Sequence, residues 1–243
     1  MRIRLPAAAL AVLALAPPLG AQTPSTSEIG KALGNVLGKG KPSPSSAEAG
    51  AGLKEALTKA AGTVAAQLGA KDGYFGDSKI RIPLPGVLGD AQKRLKPFGM
   101  AGSLDDLQLR MNRAAEAATP EAKKLVVNAV SSMTFEDAVG VLKGGDTAAT
   151  DFLRGKTQAS LSAALRPYVA KALTDAGALK ALDKAVAKYG AGLAPTDTRS
   201  WLTDKAVTGA MDGLFYYVAQ EERSIRHDPV KQTSDLLRRV FGG

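Results

Sequence analysis

Carboxylates are the only abundant side chains in this sequence from which an enzyme could be built. The 243 residues include no cysteine and one histidine, His227. That removes thiol nucleophiles, thiolate metal centres, disulfides and every multi-histidine site. Attention falls on Glu116, Asp146, Asp151, Glu221 and Glu222, which would serve a metal-assisted hydrolase if they converged on one hard cation. Asp146 and Asp151 are five apart, do not share a helix face, and form no paired site by themselves. His227 precedes Asp228-Pro229 with no serine at a telling spacing, and reads as an exposed junction residue. No metal and no cofactor is expected from these residues alone.

The elements that must position these groups are helices. At 100° per residue, Ser103 to Ala118 place Leu104, Leu107, Met111, Ala114, Ala115 and Ala118 on a core face. The other face holds Asp105, Leu109, Asn112, Arg113 and Glu116, which reads as a solvated face with a surface ion pair or, functionally, as one wall of a polar cleft. Trp201 to Arg226 project Leu202, Ala206, Val207, Ala210, Leu214, Val218 and Ile225 onto one arc. Glu221 falls inside that arc and Glu222 near its edge. A carboxylate turned toward a core costs several kcal/mol unless a cation satisfies it, so Glu221 is expected to pair internally, with Arg113 or Arg226. The Gly144-Gly145-Asp146-Thr147 turn offers amides at a helix start, where anions are held; Asp146 is expected to cap them itself. Tyr74 and Phe75, between Gly73 and Gly76, read as a loop clip or as a contact for a ligand or partner.

Apolar positions recur at three and four from Ala47 onward, beginning with Leu53, Leu57, Ala61, Val64 and Leu68. The pattern breaks from Gly69 to Pro85, where glycines, the alternation Lys79-Ile80-Arg81-Ile82 and two prolines predict one extended crossing segment and no central strand. Starts are expected at Ser103, Thr119-Pro120, Thr134 and Asp146, then at Thr157 with a kink at Pro167. Leu179 to Tyr189, Trp201 to Arg226 and a last piece after Pro229 complete an all-α, irregular bundle of about nine helices without a sheet. The 43 alanines and 26 glycines suit closely packed helices.

Residues 1–21 have the form of a secretory signal peptide: Arg2 and Arg4, an apolar run from Ala7 to Ala16, then Pro17, Pro18 and Gly20 before Ala21. The run is about half the roughly 20 residues a spanning helix needs, and no transmembrane segment is expected in the mature chain. Residues 22–46, rich in Ser, Pro and Gly, read as a flexible basic linker, and residues 47–243 as the helical domain. The formal charge of +9 is concentrated toward the N-terminal part. Export and the scarcity of aromatic residues near the basic segment, only Tyr74, Phe75 and Phe98, argue against nucleic acid.

Five strings occur in order along the chain: GLKEALTKAAGTVAAQLG, IRIPLPG, LRMNRAAEAATPEAK, GGDTAATDF and MDGLFYYVAQEERSIRHDP. Together they resemble the bacterial domain-of-unknown-function family DUF4197 over roughly residues 50 to 242. The resemblance implies an exported, all-helical bacterial protein and no activity, substrate or cofactor. Many relatives look like lipoproteins; this chain lacks the cysteine that a lipid anchor needs, so soluble export to the periplasm is the expectation. The function expected is non-enzymatic binding or interaction with a periplasmic protein or small molecule. Its rivals are the carboxylate hydrolase and a carrier that holds an apolar ligand in an inter-helix cavity.

Overall fold

The computed structural model describes residues 45–142, 144–190 and 197–241. The expected signal peptide and almost all of the expected linker lie outside these residues. Eight α-helices and no strand occur among the described residues. They are α1 (Ser46–Leu68), α2 (Gly86–Leu95), α3 (Gly102–Ser131), α4 (Phe135–Leu142), α5 (Ala148–Asp175), α6 (Ala178–Tyr189), α7 (Thr198–His227) and α8 (Asp235–Phe241), with one 3-10 turn at Lys96–Phe98. None is long and apolar enough to cross a membrane.

Helix α1 begins where its chemistry dictates. Ser45 accepts the Glu48 amide at 3.2 Å, and Glu48 accepts the Ser45 amide at 3.0 Å, a reciprocal capping box. The Ser45 hydrogen bonds hold the Glu48 carboxyl below its ordinary pKa. At α4, Thr134 and Asp137 exchange hydrogen bonds in the same way.

Two expected starts do not exist, and with the short helix α2 the count among the described residues is eight where about nine were read. Thr119-Pro120 lies inside α3: proline removes the donor that would reach the Glu116 carbonyl, and the helix continues regardless. The Thr119 hydroxyl donates back to Ala115 O at 2.9 Å instead of capping a new helix. Thr157 likewise donates to Leu153 O and sits inside α5, which also runs through Pro167.

Helix α3 is central, packed on α1, α5, α6 and α7. Leu104, Leu107 and Met111 of α3, Leu53 and Leu57 of α1, Leu165 and Leu173 of α5, and Phe215 of α7 are fully buried. Small residues set the spacing: Ala60 and Ala61, Ala114 and Ala115, and Ala206 are all buried. Alanine adds no side-chain entropy cost and keeps neighbouring backbones close.

Candidate functional site

The crossing segment, residues 69–85, runs over α3 and α7 as turns and extended chain. Ile80, Ile82 and Leu84 point inward while Lys79 and Arg81 are exposed. A segment without strand partners must satisfy its backbone otherwise. Asn112 of α3 does so: its Oδ1 accepts the Ile82 amide at 2.8 Å and its Nδ2 donates to the Ile82 carbonyl at 2.9 Å. Its side-chain amide thereby takes the place of a neighbouring strand.

Glu116 performs the second attachment. Its Oε1 accepts the amides of Tyr74 and Phe75 at 3.1 and 3.2 Å. Its Oε2 receives Arg113 Nη1 at 2.6 Å, and Arg113 reaches Asp72 with its other terminal nitrogen, also at 2.6 Å. The Glu116 hydrogen bond raises the Arg113 pKa further above its ordinary value. Tyr74 is buried and donates its hydroxyl to Ala210 O at 2.7 Å; burial pushes its pKa well up. Phe75 lies under the Arg81 and Arg113 guanidinium groups, 5.0 and 6.0 Å from its ring centre. The face of α3 expected to be solvated is therefore buried at Asn112 and Glu116, because the crossing segment lies on it. Tyr74 and Phe75 form the clip that was one of their two readings.

On α7 the buried carboxylate is Glu222, whereas Glu221 was placed inside the apolar arc. The arc continues from Val218 by four to Glu222 and by three to Ile225, so the residue at the arc's edge is the one that faces inward. Glu222 accepts the Ala149 amide at 3.1 Å, the Thr150 amide at 2.8 Å and the Thr150 hydroxyl at 2.6 Å. Arg226, one turn on, pairs with it at 2.8 Å. The amides at the start of α5 do hold an anion, but the anion is Glu222 and not Asp146. Asp146 instead lies 2.7 Å from the exposed His227 ring. Asp151 accepts the Thr147 hydroxyl at 2.8 Å. Glu221 meets Lys231 at 3.4 Å, neither Arg113 nor Arg226.

The predicted carboxylates thus separate into individually satisfied groups. Among the described residues no three of His, Asp and Glu come together to hold a metal ion, and no buried side-chain polar atom lacks a partner.

What the structure adds is a groove of about 650 Å³ between the crossing segment, the first turns of α5 and the middle of α7. Its wall includes Ile82, Gly209, Gly213, Phe215 and Tyr216, and its charged lining is Lys79, Arg81, Asp151, Arg154, Asp212 and Arg223. Arg154 pairs with Asp212 and lies over the Phe215 ring. Arg81 donates to Phe75 O. The Lys79 ammonium and the Arg223 guanidinium make no hydrogen bond or ion pair among the described residues. Of the candidate site residues read from sequence only Asp151 lines this groove, together with the Lys79-Ile80-Arg81-Ile82 alternation of the crossing segment. The signal that could have found it is the Gly209 and Gly213 pair on α7: a Cβ there would stand 2.7 Å from Ile82 and 2.6 Å from Tyr74. Glycine at both positions marks where another chain segment presses against a helix.

The family model "Protein of unknown function (DUF4197)" matches residues 43–242, and the chain belongs to that family. No curated protein and no solved structure matches it.

Proposed function

We propose, with membership of this family as the premise, that the chain is an exported periplasmic binding protein whose groove takes a small anionic ligand. One observation carries the reading: among the described residues the Lys79 and Arg223 side chains line the groove without a direct ion pair or hydrogen bond, whereas its other charged groups each have such a partner. Cations in a cleft concentrate the field there and draw an anion, and the apolar surface of Ile82 and Phe215 would receive the rest of such a molecule. The amides at the α5 start are already taken by Glu222, so side chains and not a helix terminus would supply the recognition. The carboxylates that a hydrolase would use are each engaged, which favours binding over chemistry. Export is supported by the Arg2, Arg4 and Ala7-to-Ala16 pattern.

The test is thermal unfolding of the full chain at constant ionic strength with inorganic phosphate or succinate, in wild type and in Lys79→Gln/Arg223→Gln. A ligand that binds only the folded state raises Tm. The expected result is a rise of about several degrees in wild type, absent from the double variant, whose unliganded Tm is unchanged. No rise with either anion, or an equal rise in the variant, overturns the reading. A rise with Mg²⁺, Ca²⁺, Mn²⁺ or Zn²⁺ that EDTA reverses and Glu221→Gln abolishes would replace it with a metal site.

A further inference from the structure

The corner after α2 leaves five consecutive residues exposed: Lys96-Pro97-Phe98-Gly99-Met100. Phe98 is 75% exposed and Met100 54%, and Val87 at the start of α2 is 50% exposed. Large apolar side chains scattered singly are ordinary, but two lie two residues apart at one tip. The tip is a fixed shape. The Gly99 amide donates to Lys96 O at 3.1 Å, the Met100 amide to Leu95 O at 3.2 Å, and the Tyr189 hydroxyl to Met100 O at 2.5 Å. Gly99 has φ 68°, the left-handed turn that brings the chain back to bury Ala101 while Phe98 and Met100 remain outside. The same α2 corner carries Lys93, Arg94 and Lys96, all exposed, against Asp90 on the helix itself and Asp105 of α3, which accepts from Gln92 at 2.8 Å.

We propose that this corner seats on an anionic lipid surface, with Phe98 and Met100 entering the boundary between headgroups and acyl chains and Lys93, Arg94 and Lys96 meeting the phosphates. Apolar burial combined with attraction to anionic headgroups is how a segment lies on a membrane without crossing it, and the electrostatic part acts within a Debye length. Charge decides between the possible occupants. A second copy docked through the same patch would bring the three cations against their own images, whereas an anionic bilayer complements them. This surface is separate from the groove, and neither assignment depends on the other.

The chain has no cysteine, so Met100→Cys carries a single environment-sensitive label, nitrobenzoxadiazole, at the tip. The full chain is mixed with vesicles of phosphatidylglycerol and phosphatidylcholine, or of phosphatidylcholine alone. The expected result is a blue shift with the anionic vesicles only, weakened by Lys93→Gln/Lys96→Gln and lost on adding Phe98→Ser. Circular dichroism should show these variants folded, since every altered side chain is exposed. A label at Val230→Cys, exposed on the connection between α7 and α8, is expected to stay silent. No shift at Met100, an equal shift at Val230, or equal shifts with both kinds of vesicle overturns the proposal. So does a shift that appears without vesicles as protein concentration rises, which assigns the patch to a second copy.

Discussion

Two buried glutamates on different helices solve the same problem with different consequences. Glu116 and Glu222 each accept two consecutive backbone amides from a distant segment, and each is paired with an arginine on its own helix. Glu116 ties down a loop, and its partner Arg113 keeps 26% exposure and a second acid, Asp72. Glu222 closes the start of a helix, and its partner Arg226 keeps 11% exposure. A carboxylate at a helix start also meets the positive end of the helix dipole. The difference teaches that the cost of losing a buried acid depends on where its cation can go.

The largest effect expected is therefore at α7. Glu222→Ala leaves Arg226 nearly buried and two α5 amides without an acceptor, and should cost about 3–5 kcal/mol in urea unfolding. Glu116→Ala leaves Arg113 with Asp72 and water, and should cost about 1–3 kcal/mol. Hydrogen exchange should quicken at Ala149 and Thr150 in the first variant and at Tyr74 and Phe75 in the second. Equal costs would break the comparison.

Gly213→Ala sharpens it. The new methyl would meet the Tyr74 ring at 2.6 Å, and overpacking of this kind costs about 1–3 kcal/mol. The cost should persist in the Glu222→Ala background and shrink in Glu116→Ala, where the Tyr74 loop is already loosened. A double-mutant cycle reads this directly.

The smallest effect concerns a third tether of the same segment, the Tyr217 hydroxyl donating to Asp77. That bond holds the Asp77 carboxyl below its ordinary pKa and pushes the Tyr217 hydroxyl up to about 12. The folded state therefore binds fewer protons than the unfolded state in acid, and more in alkali. The contribution is complete above the ordinary carboxylate range and below the ordinary phenol range. It falls away as pH drops through the folded Asp77 value, and as pH rises toward about 12. The stability difference between wild type and Tyr217→Phe should be flat from roughly pH 5 to 9 and narrow at both ends. A difference independent of pH would show that packing, and not the hydrogen bond, is what the variant loses.

Much of this architecture is legible from spacing. The stripe from Leu53 to Leu68 and the α7 arc from Leu202 to Ile225 are buried as their periodicity requires. The breaks at Pro120 and Thr157 misled because proline and threonine each have two uses, and only the surrounding bundle selects between starting a helix and continuing one. Tyr168 stands three residues after the buried Leu165 of α5, at core spacing, but is exposed, since a ring with a hydroxyl is content at an edge. The site was less legible. Asn112 and Glu116 form a polar face on a helix wheel, and nothing in α3 announces that another segment will lie across it. Glu221 and Glu222 differ by one residue, a 100° rotation that a projection over a long helix does not resolve. The groove involves pieces of chain more than a hundred residues apart; the Gly209 and Gly213 pair marks that something presses on α7 there, but no local pattern says which segment does so.

The crossing segment also sets an order in time. Tyr74 reaches a carbonyl 136 residues further along, and Asp77 accepts from a hydroxyl 140 residues further along. Chains emerge from their N-terminal end, at about 5–20 residues per second during synthesis, so the segment waits several seconds before its α7 partners exist. Helices α1 and α3 can form in that interval from local contacts, while residues 74 to 82 have no α7 to close against. The groove beside them is then among the last parts of the molecule to take shape.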